Sequence, residues 1–125
     1  MGLKKRILVV EDDPSLRALL EITLAMEYTV FSAHDGQAAL SCMEKEKPDL
    51  LLMDVMIPVM DGKAVCEAIR QSDKYGKPKI IIVTGSIDSD TVQETWKSRY
   101  QVDGFFAKPY ELTAVKDAIH RLLAD

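Results

Sequence analysis

Two kinds of segment alternate along the chain. Short apolar runs recur five times, at Ile7–Val10, Thr29–Ala33, Leu50–Asp54, Lys79–Thr84 and Gly104–Ala107, each four to six residues long and rich in β-branched and aliphatic side chains. Most are apolar at successive positions rather than alternate ones, as strands are when both faces of a parallel sheet are covered. Between them lie stretches with helical spacing. Leu16, Leu19, Leu20 and Leu24 mark one face of the first, with Arg17 and Glu21 off it. Leu112, Val115, Ile119 and Leu122 mark one face of the last, over Tyr110–Leu123. Helix-start chemistry agrees: Asp13-Pro14 reads as an N-cap followed by a first-turn proline, and Asp35-Gly36, Asp61-Gly62 and Asp88 each precede a helical pattern. The pattern predicts (βα)5, with no internal repeat, low-complexity segment or linker.

Right-handed crossovers turn five such units into an α/β, doubly wound five-stranded parallel sheet with helices on both faces. The expected form is flavodoxin-like, with strand order 2-1-3-4-5 and a reversal of that order between the first and third strands. Ligands of such sheets bind outside the strand carboxyl ends at the reversal, so the residues leaving the strands decide the chemistry. The first strand runs into Glu11-Asp12-Asp13, the third ends on Asp54, the fourth runs into Thr84-Gly85-Ser86 and the fifth into Lys108-Pro109. The second, ending near Ala33-His34, offers nothing comparable. One polar residue at a strand end marks only the exit from a core. Three acids, a hydroxyl and a lysine at one sheet edge form a constellation.

Glu11, Asp12 and Asp54 are expected to converge across the reversal. Like charges about 4 Å apart at an effective dielectric of about 20 repel by roughly 4 kcal/mol per pair, so a bare cluster would take up a proton or bind a cation. Oxygen ligands without His or Cys favour a hard divalent ion, Mg2+ or Mn2+. Three carboxylates balance Lys108 and such an ion, leaving the site ready for one more anion. Asp54 could then act as a carboxylate nucleophile toward a phosphoryl group.

Composition narrows the partners. A chain of 125 residues is one domain, expected to use 1–125 in a single fold with no output domain in this chain. Sixteen basic against twenty acidic residues give a net charge of −4, which argues against direct nucleic-acid or anionic-membrane binding. Apolar runs such as Leu50–Met53 and Ile80–Val83 are too short to span a bilayer, and the apolar run after Lys4-Lys5-Arg6 stops at Glu11, so no signal peptide is expected. Cys42 and Cys66 lack metal or redox spacing and are expected as reduced, apolar fillers in a cytoplasmic protein. His34 and His120 are expected at the surface.

The stretches Ile7-Leu8-Val9-Val10-Glu11-Asp12-Asp13-Pro14 and Asp54-Val55-Met56-Ile57-Pro58-Val59-Met60-Asp61-Gly62, followed by Thr84 and Lys108-Pro109, together resemble the response-regulator receiver domain of two-component signalling, with a chemotaxis-regulator-like fold. The resemblance covers essentially the whole chain. It implies a phospho-accepting switch of a phosphorelay rather than an enzyme, with Asp54 receiving phosphate from a histidine kinase or histidine phosphotransfer protein. It further implies that Asp12 binds the metal directly, Glu11 through water and Met56 through its backbone carbonyl, while Thr84 and Lys108 bond phosphoryl oxygens and Lys108-Pro109 is cis. Asp13 is assigned to capping the first helix. Met56 and Ser86 would tune water access to the acyl phosphate, and an apolar Met56 points to slow hydrolysis. Phe105, three positions before the lysine, takes the switch position without the hydroxyl that a tyrosine would bring.

The resemblance also implies that the surface around the fourth helix and fifth strand changes on phosphorylation to control a downstream protein. Val92, Trp96 and Tyr100 recur at helical spacing. They read as a packing stripe, with a partner-binding surface as the sharper alternative. Two other functions compete. A phosphatase with an Asp nucleophile usually carries a second acid two residues on, where this chain has Met56. A flavodoxin-like FMN carrier needs a Ser/Thr/Gly-rich phosphate loop where this chain has Glu11-Asp12-Asp13.

Overall fold

The computed structural model describes residues 4–55, 61–85 and 90–124 and, of residues 90–93 and 95, the backbone alone. Strands β1 (Arg6–Val10), β2 (Thr29–Ala33), β3 (Leu50–Asp54), β4 (Lys79–Thr84) and β5 (Gly104–Ala107) alternate with helices α1 (Pro14–Leu24), α2 (Gly36–Glu46), α3 (Gly62–Arg70), α4 (Asp90–Arg99) and α5 (Leu112–Leu123). All strand pairs are parallel, and the order is β2-β1-β3-β4-β5. The doubly wound sheet expected from the pattern is therefore observed. A 3-10 turn at Asp73–Tyr75, which no periodicity announces, is started by the Ser72 side chain and ended at Gly76 with φ +77°.

Successive apolar residues in the strands face opposite layers. Leu8, Val10, Leu51, Met53, Ile80 and Ile82 enter one core with residues of α2, α3 and α4. Ile7, Val9, Leu50, Leu52, Ile81 and Val83 enter the other with residues of α1 and α5. Every residue of β3 is buried, as a central strand covered on both faces requires. Burial of these side chains, each worth about 1.5–3 kcal/mol, holds the sheet that carries the strand ends.

The caps follow the aspartates. Asp13 accepts from the Ser15 and Leu16 amides at 2.9 and 3.3 Å, Asp35 from Ala38 at 2.7 Å and Asp61 from Ala64 at 2.9 Å; Asp88 lies outside the described residues. Helix α5 starts at Leu112 rather than Tyr110, because Glu111 keeps an extended backbone (φ −81°, ψ 122°). On α1, Leu20 and Leu24 are buried as the stripe predicts, but Leu19 is 51% exposed. It lines an open cavity with Leu16, Pro109 and Leu112 instead of entering the core.

Trp96 and Tyr100 belong to the core of the α2–α4 layer, with ring centroids 5.0 Å apart. The packing stripe is thus the observed role of both, and neither is an exposed partner anchor; the Val92 side chain lies outside the described residues. Cys66 is buried and Cys42 partly so, while His34 and His120 are exposed.

Gly62 tests how tightly the turn after β3 is closed. Its amide donates to the Val55 carbonyl at 3.2 Å, and a Cβ there would stand 2.8 Å from the Val55 Cα. Gly62→Ala is expected to destabilise by about 1–3 kcal/mol. Gly85→Ala, whose Cβ would meet nothing within 4 Å, is expected to stay within about 0.5 kcal/mol of the parent. Urea unfolding of the two variants compares them directly, and equal midpoints would contradict the packing argument.

Candidate functional site

The register brings the strand ends level. Val10 lies opposite both Ala33 and Met53, Asp54 opposite Val83, and Thr84 opposite Ala107. The residues that follow Val10 and Met53 are Glu11 and Asp54, so two carboxylates emerge from adjacent strands at one height. The Lys108 amide donates to the Thr84 carbonyl at 2.8 Å, continuing the β4–β5 ladder by one residue and aiming the lysine back over the sheet edge. The Lys108-Pro109 peptide is cis.

One ammonium links the two buried acids. Lys108 Nζ donates to Asp54 Oδ2 at 2.6 Å and to Glu11 Oε1 at 2.9 Å. Glu11 and Asp54 are 2% and 5% exposed, so their pairing escapes most of the screening that weakens surface ion pairs. Burial disfavours the charge on Lys108. The hydrogen bonds and charges of Asp54 and Glu11 outweigh that penalty and hold the ammonium's pKa well above its ordinary value. The remaining Glu11 oxygen, Oε2, accepts from the Asp13 amide at 3.1 Å.

Asp12 is exposed, beside its two buried neighbours. Ligand oxygens of Glu11, Asp12 and Asp54 all lie within 4.8 Å of one another. Three convergent carboxylates, one open to solvent, match the needs of a hard divalent cation that keeps part of its water shell. The donor set therefore fits Mg2+ or Mn2+ in kind. Asp13 is turned away into the α1 cap, as assigned. The Met56 carbonyl and Ser86 lie outside the described residues.

Thr84 is 2% exposed at the end of β4. Phe105 is half-buried in β5, opposite Ile82 and against the α2–α4 core. The structure thus brings Glu11, Asp12, Asp54 and Lys108 into one cluster and holds Thr84 on the next strand, with Phe105 behind it in the α2–α4 layer.

Two further residues shape the site. Arg17 Nη1 donates to the Glu11 carbonyl at 2.9 Å, tying the second turn of α1 to the end of β1. Its one trace in the sequence is a charged position beside the apolar stripe of α1. The second is Tyr110, two residues beyond Lys108 and lining the same cavity. Burial pushes its pKa up, as do the two carboxylates, against opposition from Lys108. A cavity of about 440 Å3 beside it is lined by Leu16, Leu19, Lys108, Pro109, Tyr110 and Leu112.

Known proteins share this fold. The model of the response regulator receiver domain matches residues 7–120. Sporulation initiation phosphotransferase F of Bacillus subtilis is 33% identical over 122 residues, covering 97% of this chain and 95% of that protein. The chemotaxis response regulator CheY4 of Vibrio cholerae superposes with a TM-score of 0.84 at 28% identity, over 96% of this chain and 99% of that one. The receiver domain of a Pseudomonas aeruginosa sensor histidine kinase, solved with a magnesium ion in its active-site cleft, superposes with a TM-score of 0.79 at 26% identity, over 98% and 99% of the two chains. The chain spans about half the length of several transcriptional regulators that it matches. Among the described residues no helix is long and apolar enough to cross a membrane.

Replacing the ammonium should expose the repulsion it neutralises. Because the Lys108 pKa is raised on folding, its contribution is fully present below the unfolded lysine value, about 10.4, and is lost only as pH rises through the higher folded value. At pH 7–8 Lys108→Met should therefore destabilise by roughly 1–3 kcal/mol, a discounted figure because the side chain is partly exposed. In that variant Glu11 and Asp54 face each other unbridged. Urea unfolding of both proteins at pH 7–8 reads the loss, and equal stability would contradict it.

Proposed function

The chain belongs to the response regulator receiver domain family, and from that premise we propose that it is a phospho-accepting switch in which Asp54 receives a phosphoryl group from a histidine kinase or histidine phosphotransfer protein. The observation that carries this reading is the cluster itself: Asp54 and Glu11 buried on one ammonium, with Asp12 open beside them.

The chemistry follows from charge. Asp54, held against the Lys108 ammonium, would be the nucleophile. Its carboxylate oxygen forms a P–O bond as the P–N bond to the donor imidazole breaks, and the electron pair returns to the imidazole nitrogen, which takes its proton from water. Lys108 would neutralise charge on the transferring oxygens, and buried Thr84, on the adjacent strand, would donate its hydroxyl to one of them. Glu11, Asp12, Asp54 and the Met56 carbonyl would hold Mg2+ or Mn2+, which when bound supplies charge neutralisation at the same oxygens. A magnesium-bearing relative supports that assignment.

The transfer happens once per cycle and leaves the chain itself modified, so the protein is a regulator rather than an enzyme acting on other substrates. Its output would pass through protein contact. Thr84 moving toward the phosphoryl group would free space for Phe105 to turn inward and reshape the surface of α4 and β5 for a downstream partner. Two conformations separated by a few kcal/mol suffice for such a shift. A cytoplasmic location suits a kinase-fed relay.

Incubation with Mg2+ and acetyl phosphate, read by intact mass, tests the assignment. One phosphoryl adduct is expected on the parent, with none on Asp54→Asn and none when a chelator removes the metal. An adduct retained by Asp54→Asn would overturn the choice of acceptor.

A further inference from the structure

Glu11 is held at every polar group. Its amide donates to the Ala33 carbonyl at 3.2 Å, and its carbonyl accepts from Arg17 Nη1 at 2.9 Å. Its Oε1 accepts from Lys108 at 2.9 Å and its Oε2 from the Asp13 amide at 3.1 Å. Two of these contacts act on Asp12 as well. The Arg17 bond pins the peptide between Glu11 and Asp12 by its carbonyl, and the Oε2 bond pins the peptide between Asp12 and Asp13 by its amide. Each peptide unit is rigid and planar, so pinning both restricts the two backbone rotations at Asp12 and sets the direction of its Cβ. Asp12 is the exposed member of the carboxylate cluster, yet its oxygen stays within 4.8 Å of those of Glu11 and Asp54.

Of the two pins, only Arg17 comes from outside the acidic run. It stands in the second turn of α1, and its other charged contact is a longer pair with Glu21 at 3.8 Å. Its charge does nothing for a cation, which a guanidinium repels. Its hydrogen bond does, by holding the backbone from which a ligand projects. We propose that Arg17 is a positioning residue for the divalent cation: by holding the Glu11–Asp12 peptide it aims the exposed Asp12 carboxylate at the ion. Groups that orient a metal ligand without touching the metal are a large part of a site's affinity. The inference rests on the reading of Glu11, Asp12 and Asp54 as the metal-holding set.

Positioning and charge predict opposite signs, so one substitution separates them. Arg17→Met removes a positive charge, and electrostatics alone would tighten Mn2+ binding. Under the proposal binding weakens by about tenfold, and by no less than about threefold, the scale on which such orienting groups act. Titration with Mn2+, followed by the paramagnetic resonance of the free ion, reads this without any phosphoryl transfer. Arg17→Lys keeps the charge and a donor for the single carbonyl, and should bind within about twofold of the parent. Glu21→Gln, which removes the other ionic contact of Arg17, should also stay within about twofold. A merely structural role would lower the urea midpoint of metal-free Arg17→Met and leave its Mn2+ affinity alone. That result would overturn the proposal, and so would tighter binding. An equal loss in Arg17→Lys or Glu21→Gln would overturn it too. Should Arg17→Met fail to fold, the shorter, uncharged Arg17→Gln carries the same expectation. A parent protein that binds neither Mn2+ nor Mg2+ would remove the metal-site reading itself, and this inference with it.

Discussion

The structure at the functional edge depends on one ammonium shared by two buried carboxylates. Glu11 and Asp54 leave adjacent parallel strands at the same height, and unbridged they would repel within a poorly solvated crevice. Lys108, entering from the far side of the sheet, satisfies both at hydrogen-bond distance. Breaking a buried pair by removing one partner is far costlier than its net contribution to stability, so the arrangement is better seen as a constraint than as a source of stability. It fixes where the Asp54 carboxylate sits.

Everything else at the edge serves that placement. Two apolar layers hold the sheet against its helices, and the strand register turns a sequence separation of 43 between Glu11 and Asp54 into direct proximity. The Asp13 cap starts α1 immediately beyond the acids, and Arg17 reaches back from that helix to the Glu11 carbonyl. The loop that presents Asp12 is thus held at both ends. Under the proposed function, the same tightness makes the site bistable: adding a phosphoryl group cannot be absorbed by gradual deformation and must redistribute Lys108, Thr84 and their neighbours.

Much of this was legible in the sequence, and for physical reasons. Runs such as Ile7–Val10 and Leu50–Asp54 are apolar at every position because both sheet faces are covered, and that pattern has few alternative explanations. Strand ends are legible because a buried run must stop where charges begin, so Glu11, Asp54 and Lys108 marked the site. Interactions set by packing were not legible. Leu19 shares the spacing of Leu16 and Leu20 but is exposed, since a stripe says which face is apolar and not where the core runs out. Glu111 delays α5 through its backbone conformation, which composition does not reveal. Arg17 meets a backbone carbonyl and Tyr110 lines the cavity beside Lys108, and neither leaves a motif.

The central claim is that the shared ammonium and its carboxylates make Asp54 the residue that becomes an acyl phosphate. An acyl phosphate is reduced by borohydride to an alcohol, which turns a phosphorylated aspartate into homoserine and leaves free carboxylates untouched. After phosphorylation and reduction, peptide mass mapping should find homoserine at position 54 and aspartate at positions 12 and 13. Homoserine at position 12 or 13, or a reduced glutamate at position 11, would contradict the account.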